Sequence, residues 1–256
     1  MLRPLAIRVQ QFGTDDDRVS HIRAALALGL PEIAPALCAH DGTFVIVGSG
    51  PSMPAFIDDI KAERALGRPI CSLKGTHDYL IREGCEPTFW LSVDPRPRLE
   101  QLTERGEDII YLLASRCHPD LFARLKDERV MLFHTGSSEA ENAMHAGKMM
   151  IGGGTTSGMR AMGIAYIMGF RKFVLYGFDS CLAADNKTKR FDGGETGLTV
   201  DVIVNGRRFL TNHAMAQQAN EFQLAYQMMP GITVEAKGDG LIAEIIKARR
   251  AKGVRA

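Results

Sequence analysis

An α/β fold, a mostly parallel sheet flanked by helices, is predicted by three features of this sequence. From residue 44 onward, apolar runs of strand length alternate with stretches of helical periodicity, as successive strand–helix–strand units require. The strands are apolar almost without interruption, as in "FVIV" at 44–47, so the sheet is expected to be covered on both faces. Two glycine turns, "GSGPS" (48–52) and "GGGTTS" (152–157), each stand directly before a helical pattern.

Taken in order, residues 1–42 read as an N-terminal helical appendage and 43–256 as the main domain. The appendage carries one amphipathic candidate, "DDDRVSHIRAALALGL", whose three leading aspartates suit the positive end of a helix macrodipole. Strands are expected at 43–48, 69–73, 88–94, 108–114, 130–134 and 172–178. Ser52 reads as the cap of a helix beginning "SMPAFIDD". "TSGMRAMGIAYIMGF" is small or apolar nearly all round, as a helix buried against the sheet should be. Residues 182–212 break the rhythm. They begin polar and glycine-rich, then form a hairpin insertion near 199–211 around Asn205-Gly206, a strong two-residue hairpin signal. A long insertion after a sheet strand reads as a lid or binding loop. A helix at 213–229, a short strand "ITVEA" and a basic helix "GLIAEIIKARRAKG" close the chain.

Composition narrows the function. A formal net charge of +1 supplies no field for non-specific nucleic-acid binding. No run approaches the roughly 20 apolar residues of a membrane span, and the opening "MLRPLAIRVQQFG" lacks the form of a signal peptide, so a cytoplasmic location is expected. Cys38, Cys71, Cys85, Cys117 and Cys181 are scattered and never form C-x-x-C, which predicts reduced thiols rather than a disulfide or zinc framework, and no metal site.

Glycine tolerates positive φ and lets a ligand approach the backbone, and amides at a helix start attract anions. Gly48, Ser49, Gly50, Pro51 and Ser52 therefore suit a phosphate, although a tight packing turn explains them equally well alone. The sequence is neither a dinucleotide fingerprint, which fails at Pro54, nor a Walker A loop. The second cluster, with Gly153, Gly154, Thr155 and Thr156, again sets hydroxyls and open amides before a helix, and two such turns at one sheet edge favour a nucleotide. Asp94 and Asp179 end strands at the same edge, as residues that hold a ribose, a metal-bound phosphate or a reacting hydroxyl do. Capping of the following turn is the plain alternative for each.

With those residues in view, "IVGSGPSM", "GCEPTFWLSVDP", "GGGTTSGMRAMGIAYIMGFRKFVLYGFDS" and "GRRFLTNHAMAQQANEFQLAYQ" resemble, in order, the domain shared by motility-associated-factor proteins and archaeal 6-hydroxymethylpterin diphosphokinases. The resemblance covers about 43–243 and is closer to the motility-associated-factor branch. It implies a Rossmann-like transferase domain, similar to sialyltransferases that use CMP-sialic acid, with the nucleotide on Gly48–Ser52 and Gly153–Thr156. The diphosphokinase branch implies ATP and magnesium instead. This chain has "SVDPRP" where that branch carries a denser aspartate motif.

The leading expectation is thus a glycosyltransferase-like enzyme using a nucleotide-activated sugar, with a CMP-activated nonulosonic or sialic-type donor favoured and the acceptor open. Transfer needs phosphate neutralisation and a general base. His213, just after the hairpin, is the first candidate base, ahead of His134 and His77, and Arg207, Arg208 and Lys74 could neutralise phosphate. The alternatives are a diphosphokinase holding Mg²⁺ through Asp94 and Asp179, and a nucleotide-binding or structural module without chemistry. A homo-oligomer is compatible with the apolar stripe of residues 20–30 and with the helix 213–229.

Overall fold

The computed structural model describes residues 12–194 and 196–251. Seven strands form one parallel sheet: β1 (His40–Val47), β2 (Ile70–Leu73), β3 (Phe89–Ser92), β4 (Ile110–Ala114), β5 (Arg129–Phe133), β6 (Phe170–Tyr176) and β9 (Thr233–Ala236). Their order across the sheet is β5-β4-β3-β2-β1-β6-β9. The remaining two, β7 (Val200–Val204) and β8 (Arg207–Thr211), pair antiparallel as the expected hairpin. Asn205 and Gly206 form its turn, both at positive φ.

Side chains alternate along the central strand. Phe44 and Ile46 of β1 join the larger hydrophobic cluster, whereas Val45 and Val47 join the cluster on the other face, with Met53, Ile60 and Leu80. The sheet is therefore covered on both sides, which is why its strands read as continuous apolar runs. The larger face holds α6 (Ser157–Ile167), buried nearly all round through Met159, Ala161, Met162, Ile164 and Ala165. It also takes in α7 (His213–Met228) through Phe222 and α8 (Leu241–Ala251) through Ile242 and Ile245. The opposite face takes α2 (Ile57–Ala65) and α3 (Thr76–Arg82).

The segment before β1 is tied into the sheet. Helix α1 (Asp15–Ala27) starts at a capping box on Thr14 and Asp17 and packs on α5 (Glu139–Met144). Arg18 Nε donates to Glu141 Oε1 at 2.7 Å, both side chains buried. Pro31–Ile33 then lies along the edge strand β5, with Leu132 N donating to Pro31 O at 2.7 Å and Ile33 N to Leu132 O at 2.9 Å. That contact closes an edge that would otherwise be open to pairing. The expected residues 1–11 of the appendage lie outside those described.

One local expectation is corrected. Ser52 does not cap an α-helix: its side chain makes no cap bond, and a short 3-10 helix (Met53–Phe56) precedes α2. Ser52 itself adopts helical φ and ψ (−74°, −16°), whereas a capping residue stands in the extended region, so its hydroxyl is not turned back toward the helix amides. Among the described residues, no cysteine is in a disulfide, and no helix is long and apolar enough to cross a membrane.

Candidate functional site

The strand order creates the site. The chain lays down β1 to β5 in one direction, then returns to place β6 on the other side of β1. Connections leave β1 and β6 toward opposite faces, and a crevice opens at their carboxyl ends, where open α/β sheets bind ligands.

Two backbone turns meet there, and their closeness explains the crowded glycines. Gly48 N donates to Tyr176 O at 2.8 Å and Gly50 N to Gly177 O at 2.9 Å. A Cβ on residue 48 would stand 2.8 Å from the Gly177 carbonyl oxygen, and one on residue 50 would stand 2.5 Å from the same atom. Ser52 N donates to Asp179 Oδ2 at 3.1 Å. The amides of residues 48, 50 and 52 are thus engaged by β6 and its turn.

Asp179 is the chemical centre of this junction. Its side chain is buried, and Leu241 N donates to its carbonyl at 2.7 Å, which pins it to the start of α8. Burial raises its carboxyl above the ordinary aspartate value, and the hydrogen bonds from Ser52 only partly offset that. A cavity of about 420 Å³ opens beside it, lined by Pro51, Ser52, Asp179, Arg207, Arg208 and Asp239 among others. The two arginines already hold carboxylates. Arg207 pairs with Asp239, and Arg208 Nε and Nη2 reach Asp201 at 2.8 and 3.0 Å. Cys181 lines the same wall, and burial pushes its thiol up to about 11.

Backbone strain marks the same edge. Four described non-glycine residues have positive φ. Asn186 and Asn205 are of the type that turns tolerate, but Lys74 (φ 55) ends β2 and Ser180 (φ 50) follows β6, the strands on either side of β1. The loop after β6 folds back over this edge: Phe191 N donates to Ser49 O at 3.1 Å, and its ring packs on Tyr79. Glu195 in that loop lies outside the described residues.

The second glycine turn approaches the first through one aromatic ring. A Cβ on Gly158, in the first turn of α6, would meet Phe178, and so would one on Gly48. Gly153 and Gly154 have positive φ, and Thr156 caps α6 by accepting from Met159 N at 3.3 Å. Thr155 N donates to Glu221 Oε2 at 2.9 Å, so a carboxylate from α7 already occupies one amide expected to be open. Nothing local in the sequence marks Glu221, some 66 residues downstream.

The other candidates separate. Asp94 is clamped by Arg96, whose Nε and Nη2 lie 2.9 and 2.7 Å from its two oxygens. Burial would raise its carboxyl, but the Arg96 hydrogen bonds and charge prevail and hold it low. His213 is exposed as the first residue of α7 and does not line the cavity. His77 is buried between Trp90 and Tyr111, and Asp78 beside it caps Thr103 N at 2.9 Å. His134 belongs to a buried chain in which Ser115 Oγ lies 3.2 Å from His134 Nδ1 and 2.8 Å from His145 Nε2. Among the described residues, no three His, Cys, Asp or Glu side chains gather as metal ligands would. Asp239 and Gly240 also belong to the site, and their sequence signal is the pair of glycines in "KGDGLI": a Cβ on Gly240 would stand 2.6 Å from Asp179 Cα.

Residues 30–185 match the model of a family described as 6-hydroxymethylpterin diphosphokinase MptE-like. Among solved structures, the chain is similar to a MAf glycosyltransferase from Magnetospirillum magneticum AMB-1, with 18% identity and a TM-score of 0.70. The match covers 90% of this chain and 38% of that one, so the chain spans well under half the length of that relative. A mammalian sialyltransferase in complex with Gal-beta-1-3GalNAc-ortho-nitrophenol aligns over 91% of this chain and 82% of its own, at 11% identity and a TM-score of 0.45. No curated protein matches. The first of these structures establishes a shared fold.

Proposed function

The chain belongs to the 6-hydroxymethylpterin diphosphokinase MptE-like family, and from that premise we propose that it is a nucleotide-dependent transferase of glycosyltransferase type, with a CMP-activated sugar acid as its favoured donor. The observation that carries this reading is the crevice between β1 and β6, where side-chain-free turns, strained strand ends and a buried carboxylate converge. Gly48 and Gly50 let the turn after β1 lie directly against Gly177 and Asp179, which fixes the floor on which a phosphate would rest. The start of α6, which Gly153–Thr156 leads into, flanks it through Gly158 against Phe178. The fold shared with a protein named as a glycosyltransferase supports the same class.

Asp179 is the residue we assign to proton transfer. A carboxyl raised by burial sits nearer the working pH than a free one, so it can take the acceptor hydroxyl's proton as the donor bond breaks. This role falls to Asp179 rather than to exposed His213 because Asp179 lines the cavity. Arg207 and Arg208 reach a departing phosphate by exchanging their carboxylate partners.

A second reading, a magnesium-dependent diphosphokinase, is favoured by the family match itself. It requires Asp94 to release Arg96 before its oxygens meet a metal ion. Thermal stability followed during titration with CMP, CDP, UDP and ATP, with and without magnesium, separates the readings. A ligand at 100 times its dissociation constant adds about 2.7 kcal/mol. Stabilisation by CMP without magnesium is expected. Stabilisation only by ATP with magnesium selects the diphosphokinase, and no response at millimolar concentration contradicts both.

A further inference from the structure

Lys74 combines three properties that packing does not explain. Its backbone is left-handed (φ 55), a conformation that disfavours any side chain. Several bonds hold it there: Trp90 Nε1 donates to its carbonyl at 3.0 Å, His77 N to the same carbonyl at 3.3 Å, and Leu73 N to Thr76 Oγ1 at 2.9 Å. The side chain stays exposed, yet surrounding protein and then Arg190 lower its pKa, so the amine stands in a concavity that is crowded but open.

The charge around it is one-sided. Arg190, Arg96 and Lys189 lie within electrostatic reach of the ammonium, and Asp94 is the acid among these neighbours. Both oxygens of Asp94 are bonded to Arg96, and Arg190 is paired with Asp192, Nε to Oδ1 at 2.7 Å. Among the described residues, no carboxylate lies within ion-pair distance of Lys74. The loop carrying Lys189 and Arg190 is fastened to the glycine turn by the Phe191–Ser49 bond, which brings this loop to the same sheet edge.

We propose that Lys74, with Arg96 and Arg190 in electrostatic reach, is a receptor for an oxyanion, a phosphate or a carboxylate, of the ligand lying on the glycine turn. The assignment rests on the nucleotide reading and names the residue that holds the ligand's acidic group. Lysine suits the role as a compact point charge, and the strained backbone is what aims it off the end of β2.

Titration calorimetry of the whole chain with inorganic pyrophosphate and, separately, with citrate distinguishes phosphate from carboxylate recognition. At least one of the two should bind, and Lys74→Gly should weaken that binding tenfold or more, while Lys74→Arg retains most of it. Glycine adopts φ 55 freely, so Lys74→Gly should melt within a few degrees of the parent. Lys172→Ala, which removes a lysine paired with Asp41 at the opposite end of the sheet, should bind as the parent does. Unchanged binding by Lys74→Gly overturns the assignment, as does failure of the parent to bind either probe. Nucleotide stabilisation of the parent that survives in Lys74→Gly leaves the transferase reading standing while this assignment falls. Its absence in the parent sinks the reading itself.

Discussion

Replacing Gly50 by alanine adds one methyl group where two backbones touch. The new Cβ would stand 2.5 Å from the Gly177 carbonyl oxygen and 2.9 Å from its carbon, and neither can turn aside as a flexible side chain could. Gly50 does not have positive φ, so the cost is steric rather than torsional. Overpacking of this kind costs about 1–3 kcal/mol. At about 2–4 °C per kcal/mol for a domain this size, the melting temperature should fall by roughly 2–12 °C. The matched control is Gly152→Ala, where a Cβ meets nothing within 4 Å and should change the midpoint little. Urea unfolding of both variants, with unchanged m-values, is the assay. If Gly50→Ala is as stable as Gly152→Ala, the turns after β1 and β6 do not meet as described, and the crevice built on them fails with that result.

Other outcomes follow from the buried charges. Asp179→Asn should raise stability at pH 7 by about 1.4 kcal/mol for each unit by which burial elevates the carboxyl, and abolish turnover. The gain should shrink as the pH falls below the folded-state value and vanish below the ordinary aspartate pKa of about 3.9, where folded and unfolded parent are both protonated; a less stable Asn variant at pH 7 contradicts the burial argument. Burial lowers the pKa of His77 and of His145, so both stay neutral in the folded chain where the unfolded chain would protonate them. Stability should therefore be full above about pH 6.5 and decline below it, and urea midpoints that stay flat from pH 7.5 to 5.5 would refute this. Glu141→Ala removes the buried carboxylate shared by Arg18 and Arg116 and leaves Arg18 its exposed partner Asp15, and should cost about 3 kcal/mol by urea unfolding.

How much was legible in the sequence follows from the range of the forces involved. The strands were legible because burial on both faces makes them continuously apolar, and the hairpin because Asn205-Gly206 specifies its own turn. The start of β1 was not: His40 joins it by pairing with Phe170, 130 residues away in sequence, across an irregular register. The glycine turn and Asp179 could be singled out from their positions after strands. The direction of the turn's amides could not, because it depends on how closely Gly177 approaches. The same holds for the Glu221 carboxylate at Thr155 and for Asp239 on Arg207, which are set by tertiary packing and leave no local pattern.

The nucleotide proposed for the crevice between the ends of β1 and β6 should leave a footprint on the backbone. Hydrogen–deuterium exchange with and without saturating CMP reads it, because protection reports which amides the ligand covers or rigidifies. New protection is expected in residues 48–53, 74–76, 152–158, 177–192, 207–210 and 239–240. Protection elsewhere, or none with CMP, UDP or ATP at millimolar concentration, would contradict it.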